Sequence, residues 1–157
     1  METIKLESGE LNFKYDLSQK PGADRLLSCF ACLTCVTSCP VTEVNPAFSP
    51  LRIIRMAQMG FREEVLKSDI LWLCSSCYAC QERCPMEVRI TDILTTLKNM
   101  ASEEGHAPAG IRAQQELVKG NGRIYPLDDF DNKKRKKVDL PSLPTTCEVV
   151  TDLFPEN

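Results

Sequence analysis

Several things that would point to common functions are scarce or missing from this chain of 157 residues. No apolar run approaches the ~20 residues that cross a bilayer as a helix, so any hold on a membrane has to come through a partner. Met1 to Leu11 carries charge throughout and lacks an apolar core, which is unlike a signal peptide and leads us to expect a cytoplasmic chain. No G-x-G-x-x-G fingerprint occurs, so neither a flavin nor a nicotinamide is expected. The single histidine, His106, leaves a histidine-based catalytic arrangement little to work with, and it reads as a solvated loop residue. The net charge of -3 gives no steer toward nucleic acid. The basic run Lys133 to Lys137 is balanced by Asp128, Asp129, Asp131 and Asp139, and reads as a solvated or partner-facing surface.

What the chain has in excess is cysteine, nine in all. Without a secretory signal a disulfide framework is the poorer explanation, and clustered cysteines point to metal or redox chemistry. Eight of the nine form two copies of one pattern, C-x2-C-x2-C-x3-C-P. The first is Cys29-Cys32-Cys35-Cys39 with Pro40, and the second is Cys74-Cys77-Cys80-Cys84 with Pro85. The ninth, Cys147, stands alone in a proline-rich tail and reads as a structural thiol.

A [4Fe–4S] cubane needs four thiolates converging from tetrahedral directions. Three cysteines spaced by two residues wrap one side of it from a single loop, and the fourth does not easily bend back from so near. In two-cluster ferredoxins with this run the fourth cysteine ligates the other cluster. Applied here, Cys29, Cys32, Cys35 and Cys84 hold one cluster, and Cys74, Cys77, Cys80 and Cys39 hold the other. Pro40 and Pro85 then turn the chain sharply away. Zinc would favour paired C-x2-C knuckles with a long gap between them. Phe30, Ala31, Leu33 and Val36, and likewise Ser75, Ser76, Tyr78 and Ala79, are expected to pack around the clusters and leave backbone N–H groups for sulfur. Trp72 and Tyr78 read as packing residues beside the second run.

The rest of the chain reads as mainly α. Ile4, Leu6, Leu11, Phe13 and Tyr15 alternate around Ser8-Gly9, as in a weak hairpin or docking strand. Ser49-Pro50 is an N-cap and first-turn pair for a helix carrying Leu51, Ile54 and Ala57 or Gln58 at helical spacing, with Ile53 and Met56 widening the stripe and Gly60 as its stop. Phe61 to Leu66 and Asp69 to Leu73 read as short helical pieces. Thr91 is expected to cap a helix with Ile93, Leu94, Leu97, Met100 and Ala101 on one face, closed by Gly105. A last helix is expected from about Pro108 to Lys119, with Ile111, Leu117 and Val118 inward and Gly120 as stop. We expect an N-terminal arm over 1–20, an α-helical ferredoxin domain with two clusters over 21–120, and an extended C-terminal arm over 121–157. Ile124, Tyr125, Leu127, Phe130, Leu140 and Leu143 on that arm are expected to dock on partner subunits.

The two runs, the segments NPAFSPLRIIRM and WLCSSCYACQERCP, the amphipathic helix that follows, and the tail GRIYPLDDFDNKKRKKVDLP together resemble the C-type subunit of heterodisulfide reductase, over roughly residues 20 to 145. The cysteine runs alone are shared with iron–sulfur subunits of succinate dehydrogenase, fumarate reductase and glycolate oxidase type. The resemblance implies a relay subunit in a methanogenic oxidoreductase. In that family a large subunit carries a flavin and several clusters, and a separate catalytic subunit reduces the disulfide of coenzyme M and coenzyme B. The C-type subunit carries electrons from the first to the second, with a hydrogenase or formate dehydrogenase feeding soluble complexes. All eight cysteines match the family's ligand positions. The catalytic subunit uses motifs with adjacent cysteines and none are adjacent here, so no catalytic residue is expected on this chain. The alternatives are a free two-cluster ferredoxin, or a relay in a related complex acting on another disulfide or sulfur compound.

Overall fold

The computed structural model describes residues 9–154, which form two compact units, residues 9–106 and residues 107–154. Among the described residues there is no strand, and the fold is the expected helical one.

In the first unit, α1 (Phe13–Ser18) buries Phe13 and Leu17, four residues apart on one face. Phe13 and Tyr15 are therefore helical, which corrects the expected hairpin over the described part; Ile4 and Leu6 lie outside the described residues. The alternation there is equally served by a short helix, because Phe13 and Leu17 also satisfy a helical period. After a 3-10 turn at Leu26–Ser28 come α2 (Thr34–Thr37) and α3 (Pro40–Val44). Next is α4 (Pro50–Gln58), where the Ser49 hydroxyl accepts from the Arg52 N–H at 3.3 Å and Pro50 occupies the first turn. Ile53, Ile54 and Ala57 face the core. Gly60 follows at φ +86°, a conformation costly to side chains, and its N–H closes back on the Ala57 carbonyl. α5 (Arg62–Leu66) buries Val65 and Leu66, and a 3-10 turn, Asp69–Leu73, leads into the second cysteine run.

That run contains α6 (Ala79–Glu82) and ends before α7 (Ile90–Glu103), the longest helix of the unit. Ile90, Ile93, Leu94, Leu97 and Ala101 repeat at helical spacing and are all nearly inaccessible. Thr91 is not the cap that its position suggests. It lies inside the first turn, 1% exposed, because the chain enters the helix from the buried Val88. Gly105 follows α7 as expected, at φ +78°.

The packing repeats with the cysteine runs. α2 and α6 lie against each other. α4 packs on α2 and on the first 3-10 turn, while α7 packs on α6 and on the second. The core thus flanks the two runs with one longer helix each.

The second unit starts at Ala107, earlier than the boundary expected after residue 120, because α8 (Ala109–Asn121) packs with α10 (Glu148–Thr151). Ile111, Leu117 and Val118 are half-buried. The helix runs through Gly120 and stops at Gly122 instead. The tail is not simply extended either. α9 (Asp129–Lys137) forms under a reciprocal cap, with the Asp131 N–H donating to Asp128 at 2.9 Å and the Asp128 N–H donating to Asp131. Acidic residues at its start and the basic run at its end both suit the helix dipole, which offsets the lack of an apolar stripe. The half-buried Cys147 donates its backbone N–H to the Asn121 carbonyl at 2.9 Å.

Candidate iron–sulfur centre

The two runs fold alike, residue for residue. Each opens on a half-buried cysteine in extended conformation at the end of a 3-10 turn, Cys29 and Cys74. Each continues through two non-glycine residues at positive φ. Ala31 at +62° and Leu33 at +68° in the first run match Ser76 at +54° and Tyr78 at +63° in the second. An exposed cysteine lies between each pair, Cys32 and Cys77. A four-residue helix then buries the third cysteine, Cys35 on α2 and Cys80 on α6. Left-handed residues that are not glycine cost free energy, of order 1–3 kcal/mol each, and four at matching places make these loops the candidate functional site.

The loops leave donors unused. Among the described residues, the backbone N–H groups of Phe30, Ala31, Cys32 and Leu33, and of Ser75 to Tyr78, give no hydrogen bond to a backbone acceptor. Such unspent donors suit anionic sulfur. Side chains do not all fall as expected. Val36 and Ala79 are half-buried, but Phe30, Leu33 and Tyr78 are 61%, 55% and 44% exposed. Leu33 and Tyr78 sit in the left-handed turns, which bring those side chains to the surface. Trp72 is half-buried against the core.

The fourth cysteines break the repeat. Cys39 is buried and precedes Pro40, which starts α3. Cys84 is half-buried and leads into a turn, where its Sγ accepts from the Val88 N–H at 3.3 Å. A small cavity is lined by Cys39 together with Cys74, Cys77 and Cys80, and walled by Val41, Phe48, Pro50 and Leu94. Cys39 thus lines one cavity with the three cysteines of the second run.

The electrostatics fit a positively charged occupant. Burial, and then the neighbouring Cys29, Cys80 and Cys32, push the Cys35 thiol up to about 12. Burial likewise raises Cys80, opposed by the Thr91 hydroxyl, whose Oγ1 is 3.6 Å from Cys80 Sγ. Cys32 is instead held below the ordinary thiol range by the Thr34 side chain, 3.3 Å away. Buried sulfurs that repel one another ionise only beside cations, and iron supplies that charge. Among the described residues no three His, Cys, Asp or Glu side chains are placed to hold a single metal ion. A cubane is several atoms across, so its thiolates stand further apart than the ligands of one ion.

The 4Fe-4S dicluster domain family matches residues 25–88, which span both runs. The C-type subunit of H(2):CoB-CoM heterodisulfide,ferredoxin reductase from Methanothermobacter thermautotrophicus is 36% identical over 148 residues, covering 92% of this chain and 77% of its own length. The C-type subunit of ferredoxin:CoB-CoM heterodisulfide reductase from Methanosarcina mazei is 40% identical over 131 residues, covering 83% and 80%. This chain belongs to the family of heterodisulfide reductase C-type subunits. A further member, the second C-type iron-sulfur subunit of CoB--CoM heterodisulfide reductase from Methanocaldococcus jannaschii, is 32% identical over 155 residues, 94% of this chain and 82% of its own. The family is an oxidoreductase family, and its C-type subunits have an iron–sulfur electron-relay role.

Two contributors to the site lie outside the cysteine pattern. Thr91, expected as a helix cap, sets its hydroxyl beside Cys80. Lys98, one turn beyond Leu94 on α7, donates to the Cys74 carbonyl at 3.0 Å. Its helical spacing from Thr91 and Leu94 is the signal available in the sequence. His106 is also less solvated than expected, with its Nε2 3.8 Å from Glu104 and its side chain 28% exposed.

Proposed function

We propose that this protein holds two [4Fe–4S] clusters and relays electrons within a cytoplasmic heterodisulfide reductase complex. In this reading it takes them from the flavin-bearing iron–sulfur subunit and passes them to the catalytic subunit, which reduces the coenzyme M–coenzyme B heterodisulfide. Cys29, Cys32, Cys35 and Cys84 hold the first cluster, and Cys74, Cys77, Cys80 and Cys39 the second. The observation that carries the reading is the cavity that groups Cys39 with the three cysteines of the other run. Crossed ligation ties each run to both clusters and keeps them close, as electron exchange requires.

Bound there, the clusters supply one-electron transfer; the remaining tasks fall to the protein. Eight thiolates fix the positions. Phe48, Pro50 and Leu94 wall the second site with apolar groups, and the unspent N–H groups of both loops are available to sulfur. The chain carries no substrate site in this reading. The relatives' names mention hydrogen, formate or ferredoxin, and a hydrogenase or formate dehydrogenase is accordingly the proposed source of electrons for the whole complex. Exposed Ile124, Tyr125, Phe130 and Leu140 in the second unit support docking on the flavin-bearing and catalytic subunits. Among the described residues no helix is long and apolar enough to cross a membrane.

Native purification under anaerobic conditions tests this. The chain is expected to co-purify with a flavoprotein and a second cysteine-rich protein, and to hold about eight irons and eight sulfides, as two cubanes require. An iron-free native protein would sink the proposal. A monomer with a full iron content would instead make it a free carrier.

A further inference from the structure

The two sites match in backbone but not in charge. α7 turns one stripe toward the second run: Thr91 and Leu94 line its cavity, and Lys98 follows one turn later. Lys98 is half-buried, and its ammonium donates to the carbonyl of Cys74 at 3.0 Å. It takes part in none of the ion pairs found among the described residues. Its charge is therefore not cancelled locally.

Near the first run the half-buried donor is a neutral group. The Gln58 amide donates to the Leu26 carbonyl, three residues before Cys29, at 2.9 Å. Two arginines accompany it. Arg55 is exposed and reaches only the Gln58 side-chain oxygen, at 2.8 Å. Arg25 is half-buried like Lys98 and donates to the Met86 carbonyl at 3.0 Å, but it is paired with Glu87 at 3.7 Å, which offsets its charge. In the second run itself Glu82 and Arg83 are exposed and opposite in sign. Exposed charges are screened by water and salt, whereas a half-buried unpaired ammonium is screened less. A cation beside a cluster favours the form that carries one more electron, and so raises its reduction potential.

We propose that Lys98 is a potential-setting residue, placing the second cluster above the first so that an electron shared by the pair rests on the Cys74–Cys77–Cys80–Cys39 side. This rests on reading both runs as cluster sites. It gives the pair a direction: transfer from the first cluster to the second is downhill.

The test is a redox titration of the full-length, cluster-loaded chain, followed by electron paramagnetic resonance. The parent is expected to give two waves, and Cys77→Ser, by changing a ligand, marks which belongs to the second cluster. Lys98→Met is expected to move that wave alone to lower potential, and Lys98→Arg to leave it near the parent's. Lys98→Gln replaces the methionine variant if the latter binds less iron than the parent. An unmoved second wave overturns the proposal, and so does an equal shift in Lys98→Arg, which would make the effect one of geometry. A parent chain that binds no iron overturns the reading of the cysteine runs as well, and iron and sulfide analysis separates that result from the others.

Discussion

Arg62 on α5 grips the Glu104 carboxylate just past the end of α7, with both terminal guanidinium nitrogens engaged. The same guanidinium reaches Glu10 at 3.9 Å and lies over the Phe13 ring, so one residue ties α1, α5 and α7 together. Both partners are less than a third exposed, and the bonding is bidentate. Arg62→Ala should therefore destabilise the cluster-loaded protein by about 1 kcal/mol. Arg62→Lys should recover little of that, because an ammonium has no fork. Thermal unfolding under anaerobic conditions measures both, and equal stability of all three proteins would show that the grip contributes nothing.

Gly60 and Gly105 both follow helices at positive φ, but only the first is crowded. A Cβ on Gly60 would stand 2.4 Å from the Glu10 carbonyl oxygen, whereas one on Gly105 would meet nothing within 4 Å. Gly60→Ala should cost about 3 kcal/mol and Gly105→Ala about 1 kcal/mol, the difference being the backbone shift at Glu10. Chemical denaturation of the two variants side by side would read this ranking.

Removing the fourth cysteines separates crossed from uncrossed ligation. Under the crossed assignment, Cys39→Ala damages the cluster of the second run and Cys84→Ala that of the first. Each should lower the iron content by about four atoms, the content of one cubane. If the signal lost in Cys39→Ala were the one altered by Cys32→Ser, the crossing would be wrong.

Thr91 is 1% exposed, and its hydroxyl lies near Cys80 Sγ. Thr91→Val keeps the shape and removes the hydroxyl, so the stability change should stay under about 1 kcal/mol. The second cluster should become harder to reduce, since it loses a hydrogen bond to sulfur. Protein-film voltammetry would register that shift, and an unchanged trace would exclude a role for the hydroxyl.

The helical elements around the runs were legible because their signals are local. Ser49-Pro50 starts α4, Gly60 ends it, and the stripe from Ile90 to Ala101 has a helical period. Thr91 misleads because a threonine ahead of apolar residues looks the same whether it caps a helix or is buried within it; only the approach of Cys80 from another segment decides. The helix around KKRKK is hidden by its lack of an apolar stripe, although Asp128 and Asp131 carry the signature of its reciprocal cap. Nothing in the sequence announces left-handed backbone at Ala31, Leu33, Ser76 or Tyr78, because none is glycine. The grouping of Cys39 with the second run could be reasoned from ligand reach, yet the cavity depends on Phe48 and Leu94, far apart in sequence.

Those four left-handed residues bear on how the protein is made. A chain without its cofactors has little reason to keep such loops in shape, since unpaired N–H groups and repelling sulfurs both favour opening them. Cofactor insertion and the ordering of these two loops then become coupled. Oxygen exposure that strips the iron would accordingly loosen the loops first, while the apolar core around them keeps its own contacts.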